Sequence, residues 1–113
     1  MIRTAAILGP TASGKSEAAL LVAKALPAEI ISCDSVQVYR RMDIGSGKLP
    51  PEQRQGVPHH MLDVADPREP YSVARYQQEA RRAILEVADR GNLPLLCGGT
   101  GLYLRAALDD YDF

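Results

Sequence analysis

Residues 9–16 read Gly9, Pro10, Thr11, Ala12, Ser13, Gly14, Lys15, Ser16, a full match to the spacing G-x-x-x-x-G-K-[ST]. The glycines let the backbone turn tightly, so that successive N–H groups converge on one anion. Lys15 adds a point charge for an outer phosphate, and the Ser16 hydroxyl suits Mg²⁺. Such a loop belongs between a strand and a helix, where the anion also meets the helix N-terminus. Both flanks comply. Residues 4–8 form the apolar run of a buried parallel strand. Ala18, Ala19, Leu21, Val22, Ala25 and Leu26 then recur at helical spacing until Pro27 stops the pattern. The loop predicts a bound di- or triphosphate without saying what chemistry follows.

Further strands are expected at 29–33, 60–64 and 93–97, with a long polar loop over 42–58. A helix should start at the N-cap Ser72, run to Arg90 and end on Gly91. Val73, Tyr76, Ala80, Ile84 and Val87 form its apolar stripe. Glu86 and Arg90 are spaced to pair, within an otherwise solvated charged face. A last helix should begin near Leu102. Strands alternating with helices predict parallel βαβ units. Four strands are few beside the about five or six of an average sheet, a first hint that the chain is part of something longer.

At 113 residues the chain allows one compact domain with a real core. Its 13 basic and 14 acidic side chains exclude a basic nucleic-acid arm or a membrane-binding stripe. No apolar run is long enough to span a bilayer, and with Met1 leading straight into the first strand no signal or transit segment is expected. Cys33 and Cys97 end apolar runs without C-x-x-C spacing, which fits small buried side chains in a reducing cytoplasm.

In open α/β sheets ligands bind beyond the carboxyl ends of the strands. There the phosphate loop is joined by Asp34-Ser35, by the Gly98-Gly99-Thr100-Gly101 turn, and by Asp63 within or just past the third strand. Asp34 has three readings: a Mg²⁺ ligand, a general base, or an Asx-turn residue. Thr100 either presents a hydroxyl to a substrate or caps the following helix. His59 and His60 lack the further ligands a metal would need, so one ring should pack and the other be solvated. Arg40, Arg41 and Lys48 read as a solvated loop rather than a basic patch.

Taken together, these motifs resemble the tRNA dimethylallyltransferases. The resemblance rests on GPTASGKS at 9–16, Asp34-Ser35 followed by Gln37, Val38 and Tyr39, and Met42-Asp43-Ile44-Gly45. It continues through Pro58-His59-His60 with Asp63, Tyr71-Ser72, and Gly98-Gly99-Thr100-Gly101-Leu102-Tyr103-Leu104. Two positions depart from the family's usual pattern: Ser46-Gly47 stands for Thr-Ala, and Cys33 for a small apolar residue. The resemblance implies a phosphate-loop NTPase-like parallel sheet with flanking helices, incomplete, in which residues 1–113 are the N-terminal catalytic core of a longer enzyme. It implies transfer of a dimethylallyl group from dimethylallyl diphosphate to the exocyclic amine of the adenosine beside a tRNA anticodon.

By the same resemblance the diphosphate would lie on Gly9, Pro10, Thr11, Ala12, Ser13, Gly14, Lys15 and Ser16, with Mg²⁺ near Ser16. Asp34 would be the base, with Lys15 and Thr100 completing the catalytic set. Asp34, Ser35, Val36, Gln37 and Thr100 would face the tRNA. A cytoplasmic monomer is implied, gripping tRNA mostly through a helical region beyond these residues and weakly active or inactive without it. Two other functions share the loop: an adenylate isopentenyltransferase acting on a free nucleotide, and a small-molecule or nucleotide kinase gripping ATP.

Overall fold

The computed structural model describes residues 4–8, 15–33, 38–39, 54, 56–62, 64–66, 68, 71–98 and 101–108. Along the chain these form β1 (Ala5–Leu8), α1 (Lys15–Ala25), β2 (Ala28–Ser32), β3 (His59–His60), α2 (Val73–Asp89), β4 (Leu93–Gly98) and α3 (Gly101–Leu108). The strands make one parallel sheet in the order β1-β4-β2-β3. β4 is inserted between the first two strands, and β1 lies at an edge of the described sheet.

Alternation along the strands separates two cores. Ile30, Leu95 and Cys97 pack with Ala19, Leu20 and Ala23 of α1 on one face. Their neighbours Ile31 and Leu96 pack with Tyr76, Ala80, Ala83, Ile84 and Val87 of α2, and Tyr103, Ala106 and Ala107 of α3, on the other. With both faces covered, the strands need apolar residues at nearly every position, which is why they read as unbroken runs. Both Cys33 and Cys97 are buried, as expected.

Pro94 sits inside β4 although proline cannot donate to a ladder. The Leu93 N–H donates to the Pro27 carbonyl and the Cys97 carbonyl accepts from the Cys33 N–H, so these alternate residues aim at the β2 side. Pro94 therefore aims its bare nitrogen at the β1 side. There the pairing starts one residue later, at Ala5 opposite Leu95. Among the described residues the ladder loses no hydrogen bond to it.

α2 matches its expected limits. The Ser72 hydroxyl accepts from the Arg75 N–H at 3.1 Å, Arg90 is the C-cap, and Gly91 follows at φ 79°. Ser72→Ala should cost about 1 kcal/mol, read as a lower denaturation midpoint at unchanged slope. An unchanged midpoint would mean that the cap does not hold the helix.

Three expectations need correcting. The third strand is only His59–His60, because Met61 adopts a left-handed φ of 65° and turns the chain out of the ladder. On α1 the buried residues are Ala19, Leu20 and Ala23, whereas Leu21 is 71% exposed. α1 is apolar almost all round, so its spacing did not single out one face. Arg90 does not pair with Glu86. It turns instead to Glu29.

Candidate active site

Three strands end level with one another on one rim of the sheet. Leu8 is opposite Gly98, and Ser32 is opposite Cys97, so Cys33 stands beside Gly98. From these ends the chain runs into the phosphate loop, the Asp34 segment and the Gly99-Thr100 turn. Neighbouring strands lie about 4.8 Å apart, so β1 and β2 flank β4 at about 10 Å from each other. Gly9, Pro10, Thr11, Ala12, Ser13 and Gly14 lie outside the described residues, as do Asp34, Ser35, Val36, Gln37, Gly99 and Thr100. So do Arg40, Arg41, Lys48 and Asp63. Lys15 and Ser16 open α1, whose start after β1 gives the strand–loop–helix order expected of an anion site, but their side chains are also outside the description.

What can be described is the frame that holds these segments. A Cβ added at Gly98 would stand 2.6 Å from the Cys33 carbonyl oxygen and 2.8 Å from its carbon. Only glycine allows β4 and β2 to approach this closely at the rim. Cys33 is tethered by its N–H to the Cys97 carbonyl at 2.9 Å. One residue earlier, the Tyr76 hydroxyl donates to the Ser32 carbonyl at 2.7 Å. On the far side of the Asp34 segment, the buried Val38 accepts from the N–H groups of Val64 and Ala65 at 2.8 and 3.0 Å. Cys33 and Val38, the described residues on either side of 34–37, are thus both buried and hydrogen-bonded.

Beneath this rim lies a group of tyrosines that the sequence reading did not assemble. Tyr76 stacks on Tyr103 with ring centroids 4.3 Å apart. Tyr39 meets Tyr71 edge to face at 6.2 Å. Arg75 lies over the Tyr71 ring, 4.7 Å from its centre, while its Nε donates to Glu79 at 2.8 Å. Burial, above all, raises the hydroxyl pKa of Tyr71, Tyr76 and Tyr103, keeping all three neutral. A sequence signal was available for three of them: Tyr71, Tyr76 and Tyr103 each stand within three residues of a helix start.

At the opposite end of the sheet is a second cluster that was missed. Glu29 on β2, with its side chain 3% exposed, accepts from Arg90 Nη2 and Nε at 2.7 and 2.9 Å. Asn92 Nδ2 donates to it at 2.8 Å, and His60 Nε2 lies 2.7 Å from the same carboxylate. The Arg90 guanidinium is the main reason that the Glu29 carboxyl is held down to about 2, against the opposing push of burial. A lone acid within an apolar strand run was its only trace in the sequence.

His60 is therefore a structural partner, and His59 hydrogen-bonds to the Val57 carbonyl at 2.8 Å. Burial lowers the His59 pKa, so its ring is neutral near pH 7. Neither ring is the solvated one expected. Among the described residues no group of three or more His, Cys, Asp or Glu is placed to hold a metal. No helix among them is long and apolar enough to cross a membrane.

Residues 37–113 match the family model described as IPP transferase. The chain is 60% identical over 114 residues to a tRNA dimethylallyltransferase of Moorella thermoacetica, covering 96% of the chain and 35% of that relative. It is 56% identical over 107 residues to the one from Carboxydothermus hydrogenoformans, covering 95% and 34%. A tRNA isopentenylpyrophosphate transferase from Staphylococcus epidermidis superposes with a TM-score of 0.93 at 42% identity, over 100% of this chain and 37% of that one. A eukaryotic dimethylallyltransferase solved acting on tRNA gives 0.91 at 33% identity, over 98% and 28%. The chain thus spans about a third of the length of the relatives it matches. With residues 37–113 matched by the family model and nearly the whole chain matched by these relatives, the chain belongs to the IPP transferase family.

Proposed function

We propose that residues 1–113 form the phosphate-loop core of an enzyme that moves a dimethylallyl group from dimethylallyl diphosphate to the exocyclic amine of the adenosine beside a tRNA anticodon. The observation that carries this reading is the level row of Leu8, Gly98 and Cys33, which starts the phosphate loop and the Asp34 segment from one rim, two strands apart. A donor on the loop and an acceptor over the Asp34 segment would then face each other across the Gly98 turn.

The chemistry suits these residue types. An exocyclic adenine amine is a weak nucleophile because its lone pair is delocalised into the ring. Asp34 accepts its proton as the new N–C bond forms and the allylic C–O bond breaks. The departing diphosphate is met by Lys15 and the N–H groups of Gly9 and of Thr11 through Ser16. Ser16, a hard oxygen donor in the first turn of α1, would hold Mg²⁺, which neutralises part of the diphosphate charge. The adenine must leave its stack to reach Asp34, with Ser35, Val36, Gln37 and Thr100 around it. The protein would act as a cytoplasmic monomer, with tRNA held mainly by sequence that the longer relatives have beyond this stretch. By itself the stretch would bind diphosphate weakly and turn over poorly.

The test is acceptor and donor choice by the whole protein. Dimethylallyl transfer to tRNA is expected, with none to AMP and no phosphoryl transfer from ATP. Transfer to AMP, or phosphoryl transfer, would replace the reading with one of its two rivals. Asp34→Ala should lower turnover at least about a hundredfold while donor affinity holds. An unchanged rate removes Asp34 as the base.

A further inference from the structure

β1 lies at one edge of the described sheet and β3 at the other, and the two edges are built differently. β3 is short and polar, only His59–His60, as the margin of a sheet in water should be. β1 reads Ala5-Ala6-Ile7-Leu8, with no charge and no proline to discourage a neighbour. Since Leu93 and Cys97 aim at β2, Leu96 aims at β1 and meets Ala5 and Ile7, on either side of its partner Ala6. The Ala6 N–H and C=O therefore point out of the edge, and among the described residues nothing pairs with them. The Ala6 side chain is exposed as well, and the core under α2 and α3 contains no residue of β1.

The path of the chain says what this edge takes. From β1 through α1 to β2 it moves past β4, with its helix on one face of the sheet. From β3 through α2 to β4 it moves back, with its helix on the other face. Reversing both direction and face keeps the hand of the crossover, which is right-handed in parallel sheets. α3 follows β4 and packs on the same face as α2. A right-handed crossover through α3 must then continue away from β2. The first place on that side belongs to β1, and the next is its outer edge. Such a crossover delivers a parallel strand. Relatives of which this chain covers 34% and 35% have ample sequence to supply one.

We propose that the outer edge of β1 is a docking surface for the first strand after α3 in the whole protein, paired parallel to β1. β1 is then an interior strand, and the phosphate loop leaves from within the sheet rather than from its margin. This holds whatever the loop binds, and so stands apart from the prenyl-transfer reading.

Residue-resolved amide hydrogen exchange of the whole protein tests it without any measurement of activity. The Ala6 amide should be protected at least about a thousandfold over an open peptide, as should Ile7 beside it, since both would sit in ladders broken only by wide opening. Nuclear Overhauser contacts from the Ala6 amide should reach backbone protons of residues after Leu108, in parallel order. Free exchange at Ala6 with protection at Ile7 would make β1 a true edge and overturn the proposal. So would contacts to residues before Ala5 or within 40–53, or protection that disappears on dilution, the mark of a second copy. Ala6→Pro gives a second measure, because an edge strand tolerates a proline whose nitrogen faces outward and an interior strand does not. The variant should lower the denaturation midpoint sharply, and an unchanged midpoint would equally overturn the docking.

Discussion

Gly98→Ala should destabilise the protein by about 3 kcal/mol, the upper end of what overpacking costs. The added methyl would meet the Cys33 carbonyl oxygen at 2.6 Å, a backbone atom that cannot rotate away. Cys33 is held by its own N–H to Cys97, and Ser32 by the Tyr76 hydroxyl. The strain must therefore open β4 from β2 at the rim, where the Asp34 and Thr100 segments begin. A displacement of about 1 Å there is enough to cost about a hundredfold in rate. Gly91→Ala is the control. Its φ of 79° carries left-handed strain of about 1 kcal/mol, but nothing lies within 4 Å of the new methyl. Denaturant unfolding of both variants, with turnover of the whole protein, separates the two causes. If Gly98→Ala costs no more than Gly91→Ala, the close approach is not what spaces the strands.

Acid should remove about 3 kcal/mol of stability through Glu29 alone. The sign follows from the lowered pKa. The folded carboxyl titrates at about 2, from an ordinary value of 4.5, so its contribution is complete above about pH 5 and disappears as the pH falls towards 2. His59 acts in the same direction over a higher range, because the unfolded ring takes up a proton more readily than the buried one. The cluster also breaks asymmetrically. Removing Glu29 leaves Arg90 and His60, both partly exposed, able to reach water. Removing Arg90 leaves a carboxylate that is 3% exposed and short of its bidentate partner. Arg90→Ala should therefore destabilise more than Glu29→Gln at pH 7, and part of that difference should vanish on acidification as the stranded carboxyl protonates. Equal losses for the two variants, independent of pH, would show that the carboxylate is not what the cluster serves.

Elements marked by local chemistry were legible in the sequence. Ser72 and Gly91 delimit α2 through caps that act within a few residues, and the strand–loop–helix unit around residues 9–16 is coded by glycines and a proline. The face of α1 was not legible, because apolar residues surround that helix and only the sheet decides which of them are buried. The short β3 escaped because Met61 has no sequence mark of a left-handed turn. Of the site, the phosphate loop and Asp34 stood out as motifs. Its frame did not, since the Gly98–Cys33 contact joins residues far apart in the chain, and the same separation hid the pairing of Glu29 with Arg90 at the other end of the sheet.

Pro94 gives the rim a further property. If β4 slid two residues toward the rim along β1, side chains would keep their faces, but the proline nitrogen would enter the ladder opposite Ala6 and leave a carbonyl unmet. The present alignment is the highest that β4 can take against β1. A missing donor at the foot of the strand thus limits how far Gly98 can rise past Leu8, and with it the height of the rim from which residues 9–14 and 34–37 set out.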